Sequence, residues 1–573
     1  MQRFLISKLV RLSAAIPLRR FENSLNALEE AQLETLSRIL RSTQSTAFGR
    51  SHRCGTIDTV NLFQESVPIR SYESLRSYLN RVENGETDAL LPPGEKLLMF
   101  GLTSGSTGEP KKIPVTTTYL KRFRETHRIW SSYCARDHPE IAGGGFFGLA
   151  SNWKERYTES GVPCGAVTGL VREVQPPWIK RKLVLPISHS EIEDPEVRDA
   201  AALHHALSRK MTLLKAANPS SLLKFAQRLE REGETALRHL QDGAFPYRDQ
   251  LPPSYRDHPD FRPQPKRARE LSRRIEEAGR LSPKTVWPEL GLLSCWMGGT
   301  LSPYLESLAR YYDGIPIRDP GLLASEGRFT IPVEDNTASG LPDVDGLFFE
   351  FYPEDEGEVP VGKAAPLLGL HELEEGKRYY LIFTAPWGLF RYHIDDIVEV
   401  TGYWRKAPLL RFVRKGSGYA NLTGEKLAED QVVLALNRLP EQFAALRQGD
   451  CLLAPRWGDP PGYLFLVEKN ENLSDALLTE GTIRLEQLLQ DLNVEYASKR
   501  KSERLAPLQP AMLEPGTFDK LRQEEIAKAG GRADQYKLKR IRGDYEFLGR
   551  LGNYQFVGQP ESSSKEVRAS LTH

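Results

Sequence analysis

A short apolar run followed by a polar, glycine-containing segment constrains this chain more than any other feature. The run LLMF that begins at Leu97 predicts a buried strand, and the string TSGSTGEPK at 103–111 follows almost at once. Gly105 and Gly108 permit backbone conformations in which successive amide N–H groups converge on one centre. The hydroxyl side chains and Lys111 add donors and positive charge, so the segment suits a polyphosphate. It lacks the G-x-x-x-x-G-K-[ST] order of a Walker loop.

Charge and hydropathy exclude several classes of protein. Lys plus Arg number 77 and Asp plus Glu 76, a formal net charge of +1, so no global field attracts nucleic acid. Aromatic residues are not interleaved with a basic stripe, which also argues against nucleic-acid binding. No apolar run approaches the roughly 18 residues that a membrane span needs. With 573 residues, the chain can bury a large core without disulfides or metal.

The cysteines and the first residues indicate a cytoplasmic protein. The five cysteines contain no C-x-x-C pair, so a zinc ribbon or a dithiol redox site is not expected. We expect buried free thiols in a reducing compartment. The start MQRFLISKLVRLSAAIPLRR has Lys8 and Arg11 within its apolar stretch, so it predicts an amphipathic helix and not a signal peptide.

The pattern changes along the chain from helical to strand-rich and back to mixed. Helical spacing dominates the first ~90 residues, and the stripe Leu203, Leu207, Met211 and Leu214 predicts helix throughout 197–240. Short apolar or alternating runs between turn-rich stretches predict strands over 287–415. The glycine-rich segment 414–426 predicts a boundary or hinge, after which a smaller α+β unit follows. The polar tail from about 559 is expected to be disordered.

The phosphate-binding string resembles that of the adenylate-forming superfamily, which includes acyl-CoA synthetases, luciferases and peptide-synthetase adenylation domains. The motifs downstream resemble one branch of it, the auxin-responsive Gretchen Hagen family of acyl acid–amido synthetases. They occur in that family's order over about residues 23–545: VPIRSYESLRSYLNRVENGE (67–86), WMGGTLSPYLESLARYYDGIPIRDPGLLASEG (296–327), GLFFEFYP (346–353), GLFRYHIDDIVEVTGYWRKAPLLRFVRK (388–415) and EPGTFDKLRQEEIAKAGGRADQYK (514–537).

The resemblance implies an α/β adenylate-forming fold. A large N-terminal domain of mixed sheets with flanking helices would span 1–415 and carry the phosphate loop. A hinge would follow at 416–424, then a small mobile C-terminal α+β domain at 425–558 and a disordered tail at 559–573.

The implied function is ATP-dependent, AMP-forming ligation of a small carboxylic acid to an amine, in the family usually that of an amino acid, with ATP and Mg²⁺ as cofactors. We separately expect a monomer. Two alternatives stay open. One is the same adenylation with coenzyme A or another thiol as acceptor, for which KRARELSRR (266–274) is the one obvious basic cluster. The other is a non-catalytic nucleotide-binding scaffold that keeps the fold.

The resemblance also implies ligands for the nucleotide and the metal. Glu326, after Ser325, would supply a carboxylate near Mg²⁺. Asp396, which we expect between a strand and a turn, would accept hydrogen bonds from the ribose hydroxyls, and Arg414 would be a basic partner beside the ribose or phosphate. The phosphate loop would contribute Thr103, Ser104, Gly105, Ser106, Thr107, Gly108 and Lys111, and the turn along the adenine would be Gly298, Gly299 and Thr300.

Two lysines and one histidine complete the expected site. Lys537, in the C-terminal unit, would reach the α-phosphate and the carboxylate when that unit closes, and Lys426 matches a lysine that the family keeps after the hinge. His393 is either a packing residue or the acceptor of a proton from the attacking amine.

The chain departs from the plant pattern in three places, which favours a divergent branch of the family, with a bacterial branch among the alternatives. The plant Tyr-x-Ser-Ser-Glu reads LLASE at 322–326, and Tyr-Arg-Val-Gly-Asp reads YHIDD at 392–396, so that Asp395 replaces a glycine. A third departure is Gly424-Glu425-Lys426, where the plant family has a more acidic stretch. The changes keep the residues expected for the nucleotide chemistry but argue against plant-hormone substrates. Candidate stretches for the acid pocket are 119–136 and 146–180, which contain aromatic residues such as Trp130 and Trp153.

Overall fold

The computed structural model describes residues 14–103, 110–416, 419–443, 446, 451–470, 473–528, 539–551 and 554–557. The described chain forms two compact units. The first comprises the residues up to Thr103 and Lys111–Arg414, and the second comprises Pro110 and those from Lys415 onward. Among these residues, every helix is too short or too polar to cross a bilayer.

The first unit contains three larger sheets. One is mixed, with the strand order Lys111–Thr116, Leu97–Thr103, Pro163–Gly165, Arg156–Tyr157. The second is wholly parallel, in the order Gly145–Gly148, Met211–Lys215, Leu292–Ser294. The third has the order Phe348–Pro353, Arg378–Ala385, Leu389–Trp404, Ala407–Lys415, and its first three strands are antiparallel. Two-stranded pairs join Leu323–Ala324 to Gly327–Arg328 and Thr330–Ile331 to Leu341–Pro342.

Helices cover these sheets and bury most of the apolar side chains of the first unit. Besides a helix at 14–24, they are Leu28–Thr43, Ala47–Ser51, Val60–Ser66, Tyr72–Glu83, Thr117–Asp137, Val167–Glu173, Pro177–Lys180, Pro195–Ser208, Pro219–Asp242, Pro253–Arg256, Pro265–Ala278, Pro283–Val286 and Ser302–Tyr311. One large apolar core lies around the mixed and antiparallel sheets, and a second lies around the parallel sheet.

The helix Thr117–Asp137 follows directly on the strand Lys111–Thr116 because its start is well capped. The Thr116 side chain accepts a hydrogen bond from the Tyr119 amide at 3.2 Å. The Glu95 carboxylate accepts from the Thr117 and Thr118 hydroxyls and from the Thr118 amide. These acceptors satisfy N–H groups that the first turn of a helix leaves open. The cap therefore fixes the direction of the helix that borders the candidate site.

The prediction of continuous helix over 197–240 is wrong. The chain forms the helix Pro195–Ser208, then the strand Met211–Lys215, then the helix Pro219–Asp242. Met211 and Leu214 are buried, but on a central strand between Gly145–Gly148 and Leu292–Ser294. A five-residue apolar run fits either period, and pairing with two distant strands decides in favour of the strand.

The second unit has the expected α+β character. A four-stranded sheet has the order Cys451–Arg456, Gly462–Glu468, Gln509–Leu513, Tyr554–Phe556. The helices are Glu429–Asn437, Asp475–Leu492, Val494–Lys501, Thr517–Lys528 and Phe547–Leu551. A short antiparallel pair, Tyr419–Ala420 with Leu427–Ala428, lies at its start. The tail at 559–573 lies outside the described residues.

Candidate active site

The predicted phosphate loop connects two antiparallel strands. Thr103 is paired with Lys111 in the ladder, so both ends of the loop stand side by side. The Lys111 ammonium lies 5.6 Å from the centre of the Tyr72 ring. The residues predicted to touch phosphate within the loop lie outside the described residues: Ser104, Gly105, Ser106, Thr107 and Gly108.

The Ser-Glu motif forms the tight turn of a hairpin beside the strand that leads into this loop. Ser325 and Glu326 connect Leu323–Ala324 to Gly327–Arg328. The Ser325 hydroxyl donates to the Leu102 carbonyl oxygen at 3.3 Å. The Trp387 indole N–H donates to the Glu326 carbonyl oxygen at 2.9 Å, a second contact that holds the turn. Two distant segments therefore fix the position of the turn.

The Glu326 carboxylate is buried, at 5% exposure, in a setting that suits a cation. Among the residues that the structure describes, its side-chain donor is the Tyr392 hydroxyl, 3.5 Å from Oε1, a contact at the long limit of a hydrogen bond. Burial and the charge of Glu326 raise the pKa of Tyr119, whose hydroxyl has no hydrogen-bond partner among the described residues. A buried carboxylate fits Mg²⁺, because this cation prefers oxygen ligands.

The predicted adenine turn rests on the strand Ala407–Lys415, and packing alone accounts for its glycines. A Cβ on Gly298 would come within 3.0 Å of the Phe412 carbonyl oxygen. Gly299 has φ +68°, a conformation that favours glycine, and its Cβ would lie 3.2 Å from the Phe412 ring. The side chain of Thr300 lies outside the described residues. The glycines therefore do not by themselves indicate a bound base.

Asp319, which sequence reasoning missed, holds the chain just before this turn. Its carboxylate accepts from the Met297 amide at 2.7 Å and from the Gly321 amide at 2.6 Å. Burial raises the pKa of Asp319 to about 7 despite these bonds. Asp319 stands in the segment RDPG, where an aspartate before proline is typical of an ordinary turn, so no sequence signal marks its role.

Asp396 lies inside a long strand and not between a strand and a turn, as the sequence suggests. Tyr380 pairs with Ile397 and Ile382 with His393, so Leu381 alone faces the three residues 394–396. This is a β-bulge, a device that redirects side chains and is common beside active sites. Asp396 is buried, at 3% exposure.

The bulge explains why a glycine is typical of the plant motif. Asp395 has φ +64°, in the left-handed region that costs most residues energy and that glycine adopts readily. Aspartate tolerates this region better than most other residues. His393 lies on the same strand just before the bulge. Its side chain is mostly buried, its ring packs edge-on against Tyr380 at 5.6 Å, and Nε2 is 3.8 Å from Asp395 Oδ1.

The remaining predicted residues fall in different places. Arg414 ends the first unit, half exposed, and pairs with the Glu354 carboxylate. Lys426 belongs to the second unit, has φ +45°, and its carbonyl oxygen accepts a bond of 3.4 Å from Asn493. Lys537 lies outside the described residues.

Part of the predicted hinge is well ordered by hydrogen bonds. The fully buried Glu425 carboxylate accepts from the amides of Leu422 and Thr423 and from the hydroxyls of Thr423 and Tyr463. Tyr419–Ala420 also pairs with Leu427–Ala428, so residues 419–428 form a hairpin of the second unit.

The sequence also gave no sign of the buried ion pair that supports the strand of Asp396. Arg391 donates through Nε to both oxygens of Glu350 at 3.1 Å, and both residues are essentially inaccessible. The same guanidinium donates to the carbonyl oxygens of Gln64, Val67 and Ala365. Arg391 therefore ties the strand to the preceding helical segment.

Comparison with known proteins identifies the relatives of this chain. Family models match as the GH3 family N-terminal domain (residues 17–317), central domain (341–415) and C-terminal domain (430–546). A jasmonoyl–L-amino acid synthetase, GH3.5 of Oryza sativa subsp. japonica, is 24% identical over 91% of this chain and 94% of its own length. Indole-3-acetic acid-amido synthetase GH3.10 of Arabidopsis thaliana is 24% identical over 89% of this chain and 92% of its own.

Solved structures share the fold. The GH3.15 acyl acid amido synthetase superposes with a TM-score of 0.61 at 20% identity, covering 94% of this chain and 96% of that one. The predicted α/β adenylate-forming fold is thereby confirmed. Because the three family models together match most of its length, the chain belongs to the GH3 family.

Proposed function

We propose that this protein joins a carboxylic acid to an amine in two steps. In the first, a carboxylate oxygen attacks the α-phosphorus of ATP, giving an acyl-adenylate and releasing pyrophosphate. In the second, the amine nitrogen attacks the acyl carbon, AMP leaves with the bonding electron pair, and the amine loses a proton. The acceptor is an amino acid, as in the names of the relatives.

The observation that carries the proposal is the Ser325–Leu102 hydrogen bond. It sets the buried Glu326 carboxylate next to the strand that enters the phosphate loop. A buried carboxylate beside a polyphosphate-binding segment serves to hold a cation, since two negative groups would otherwise repel one another. Mg²⁺ bound by Glu326 would neutralise charge on the phosphate oxygens.

Other residues are assigned to the nucleotide and the reacting groups. Asp396 accepts hydrogen bonds from the ribose hydroxyls, and Arg414 offsets the negative charge of the phosphates. His393 is the candidate acceptor of the proton that the amine loses. The phosphate-loop side chains and the turn Gly298–Thr300 complete the nucleotide site. Lys537 offsets the negative charge that develops during attack on the α-phosphorus.

The first test is acid-dependent exchange of pyrophosphate into ATP, across a panel of aryl, indole and fatty acids. Exchange with any acid establishes adenylation and identifies a substrate. ATP binding without exchange across acids of every class would favour the non-catalytic scaffold. Amino acids and coenzyme A are then supplied separately to each active acid, and the product is identified by mass spectrometry.

Lys537→Ala tests the proposed movement of the second unit. The variant should lose adenylation while still forming amide from pre-formed acyl-adenylate, because the two half-reactions need different domain positions. Equal loss of both steps would contradict this role. We expect the pivot of this movement within the predicted hinge, 416–424.

The basic helix Pro265–Ala278 argues against coenzyme A as acceptor. Arg267 and Arg274 both pair with Glu270, and Arg273 lies 3.5 Å from Glu277. Arg267 also donates to the carbonyl oxygens of Leu207 and Arg209. Since these guanidinium groups already have acceptors, the helix is a poor phosphate site.

A cytoplasmic, monomeric enzyme completes the proposal. All five cysteines are buried free thiols, as expected in a reducing compartment. Light scattering of the purified chain measures its mass in solution, and fractionation of the source cells tests its location.

A further inference from the structure

Lys215 ends the central strand of the parallel sheet. It lies between Gly148 and Ser294, the last residues of the two flanking strands. In α/β sheets, ligands bind in the crevice at the carboxyl ends of parallel strands. The Lys215 side chain is half-buried, so it is at this edge and still reachable.

The side chain lies over an aromatic ring that is held in place. The Lys215 ammonium is 4.8 Å from the centre of the Trp130 ring. The indole N–H donates to the Asp319 carbonyl oxygen at 2.9 Å, and the ring stacks on His127 with centroids 5.5 Å apart. Trp130 and His127 are on the helix Thr117–Asp137, inside one of the stretches expected to form the acid pocket.

Positive charge exceeds negative charge around this ring. Lys215 and His127 have no ion pair or side-chain hydrogen bond within the part of the chain that the structure describes. Burial and the nearby Arg328 lower the pKa of Lys215 to about 8. Burial, Lys215 and Arg328 together hold the pKa of His127 well below its ordinary value. No carboxylate acts on Lys215 among these residues, whereas buried charges are normally paired.

The carboxylates that reach Arg328 are already engaged. Asp319 accepts two backbone N–H groups, and Asp343 is paired with Arg122. Arg328 itself donates to the carbonyl oxygens of Pro320 and Thr330, so its charge acts as a field and its position is fixed.

We infer that the acid substrate carries a second anionic group, remote from its reacting carboxyl, and that Lys215 binds this group beside the Trp130 ring. The inference rests on the proposed function and names the substrate class: an α,ω-dicarboxylic acid, or an aromatic acid with a distal acidic substituent. The bound anion supplies the charge partner that the chain itself does not give Lys215.

The geometry of one helix separates the two ends of such an acid. Tyr119, at the start of the helix, packs on Trp387, whose indole holds Glu326. Trp130 comes eleven residues later, which is about 16 Å along the axis. The reacting carboxyl belongs at the Glu326 end, beside the phosphate loop, and the second anion at the Lys215 end.

The experiment compares each diacid with its own methyl half-ester in pyrophosphate exchange, over a series of increasing chain length. We expect kcat/KM for a diacid of suitable length to exceed that for its half-ester by about tenfold or more, the size of a charge-assisted hydrogen bond. Lys215→Met should abolish this ratio, and Lys215→Arg should keep most of it. Lys210→Met, an exposed lysine just before the same strand, is the matched control.

Calorimetric titration of the diacid and of its half-ester into the protein without ATP tests the anion site separately from the proposed function. Equal kcat/KM values for pyrophosphate exchange with a diacid and with its half-ester would overturn the inference and leave the proposed function unaffected. A proportionate loss with both acids in Lys215→Met also overturns it, because Lys215 then holds the reacting carboxyl. If the diacid binds in a way that depends on Lys215 but supports no pyrophosphate exchange, the result supports the anion site and contradicts the proposed function. If the diacid neither binds nor supports exchange, both the inference and the proposed function are overturned.

Discussion

The Ser325 hydroxyl donates to the carbonyl oxygen of Leu102, a residue 223 positions earlier in the chain. The bond joins the Ser-Glu turn to the strand that enters the phosphate loop. Gly101, next to Leu102, allows the approach, since a Cβ there would lie 3.3 Å from the Ser325 Cβ. Two motifs that are far apart in sequence are therefore neighbours in the fold.

Glu326→Gln should lower kcat/KM for adenylation by about 100-fold and raise the Mg²⁺ concentration needed for half-maximal rate. The amide fills the same volume but carries no charge for the cation. Steady-state rates across a magnesium titration measure both effects. Glu334→Gln, at an exposed position nearby, is the control. An unchanged magnesium requirement in Glu326→Gln would remove Glu326 from the metal site.

Asp396→Asn should weaken ATP binding by about tenfold or more, because a charged acceptor for the ribose hydroxyls is lost. Asp395→Asn is the matched control, since asparagine also tolerates the left-handed conformation at that position. Titration with ATP in the absence of acid measures the affinity. If both variants bind ATP like the unmodified protein, Asp396 does not contact the nucleotide.

Asp395→Gly should be more stable than Asp395→Ala by about 1–2 kcal/mol, because only glycine adopts φ +64° without strain. Both substitutions remove the carboxylate, so the comparison isolates the backbone. Urea unfolding followed by tryptophan fluorescence gives the two midpoints. Equal midpoints would mean that the bulge relaxes to another conformation.

Lys215→Met should stabilise the protein below pH 8 by about 1–3 kcal/mol, since it removes a cation that burial disfavours. The folded pKa is about 8 and the ordinary value is 10.5. The folded state therefore binds its proton less tightly, and the destabilisation by Lys215 fades as pH rises from 8 to 10.5. Thermal unfolding across this range, with Lys210→Met beside it, measures the difference. A Lys215→Met variant that is less stable at neutral pH would mean that the lysine is satisfied in the fold.

Arg391→Met should lower the free energy of unfolding by about 3–5 kcal/mol, because it leaves the buried Glu350 charge without its partner. Arg414→Met, which removes an exposed arginine that also pairs with a glutamate, should cost less than about 1 kcal/mol. Denaturant midpoints of the two variants test the contrast. The Arg414 variant should instead raise KM for ATP.

The sequence by itself determined the family, the fold and the order of the motifs, because these depend on local patterns. The strand before the phosphate loop is readable from the short apolar run that begins at Leu97. The replacement of the plant glycine by Asp395 is visible in the sequence, whereas the positive φ that explains the glycine is seen only in the structure.

Tertiary structure alone decided which charged residues are buried and what they meet. Met211–Lys215 has an apolar spacing that suits a helix, and only pairing with Gly145–Gly148 and Leu292–Ser294 makes it a strand. That pairing puts Lys215 at the carboxyl edge of the sheet, above the ring of Trp130. Contacts between residues so distant in sequence leave no local pattern, because a strand's partners and a charge's surroundings are fixed only when the chain folds.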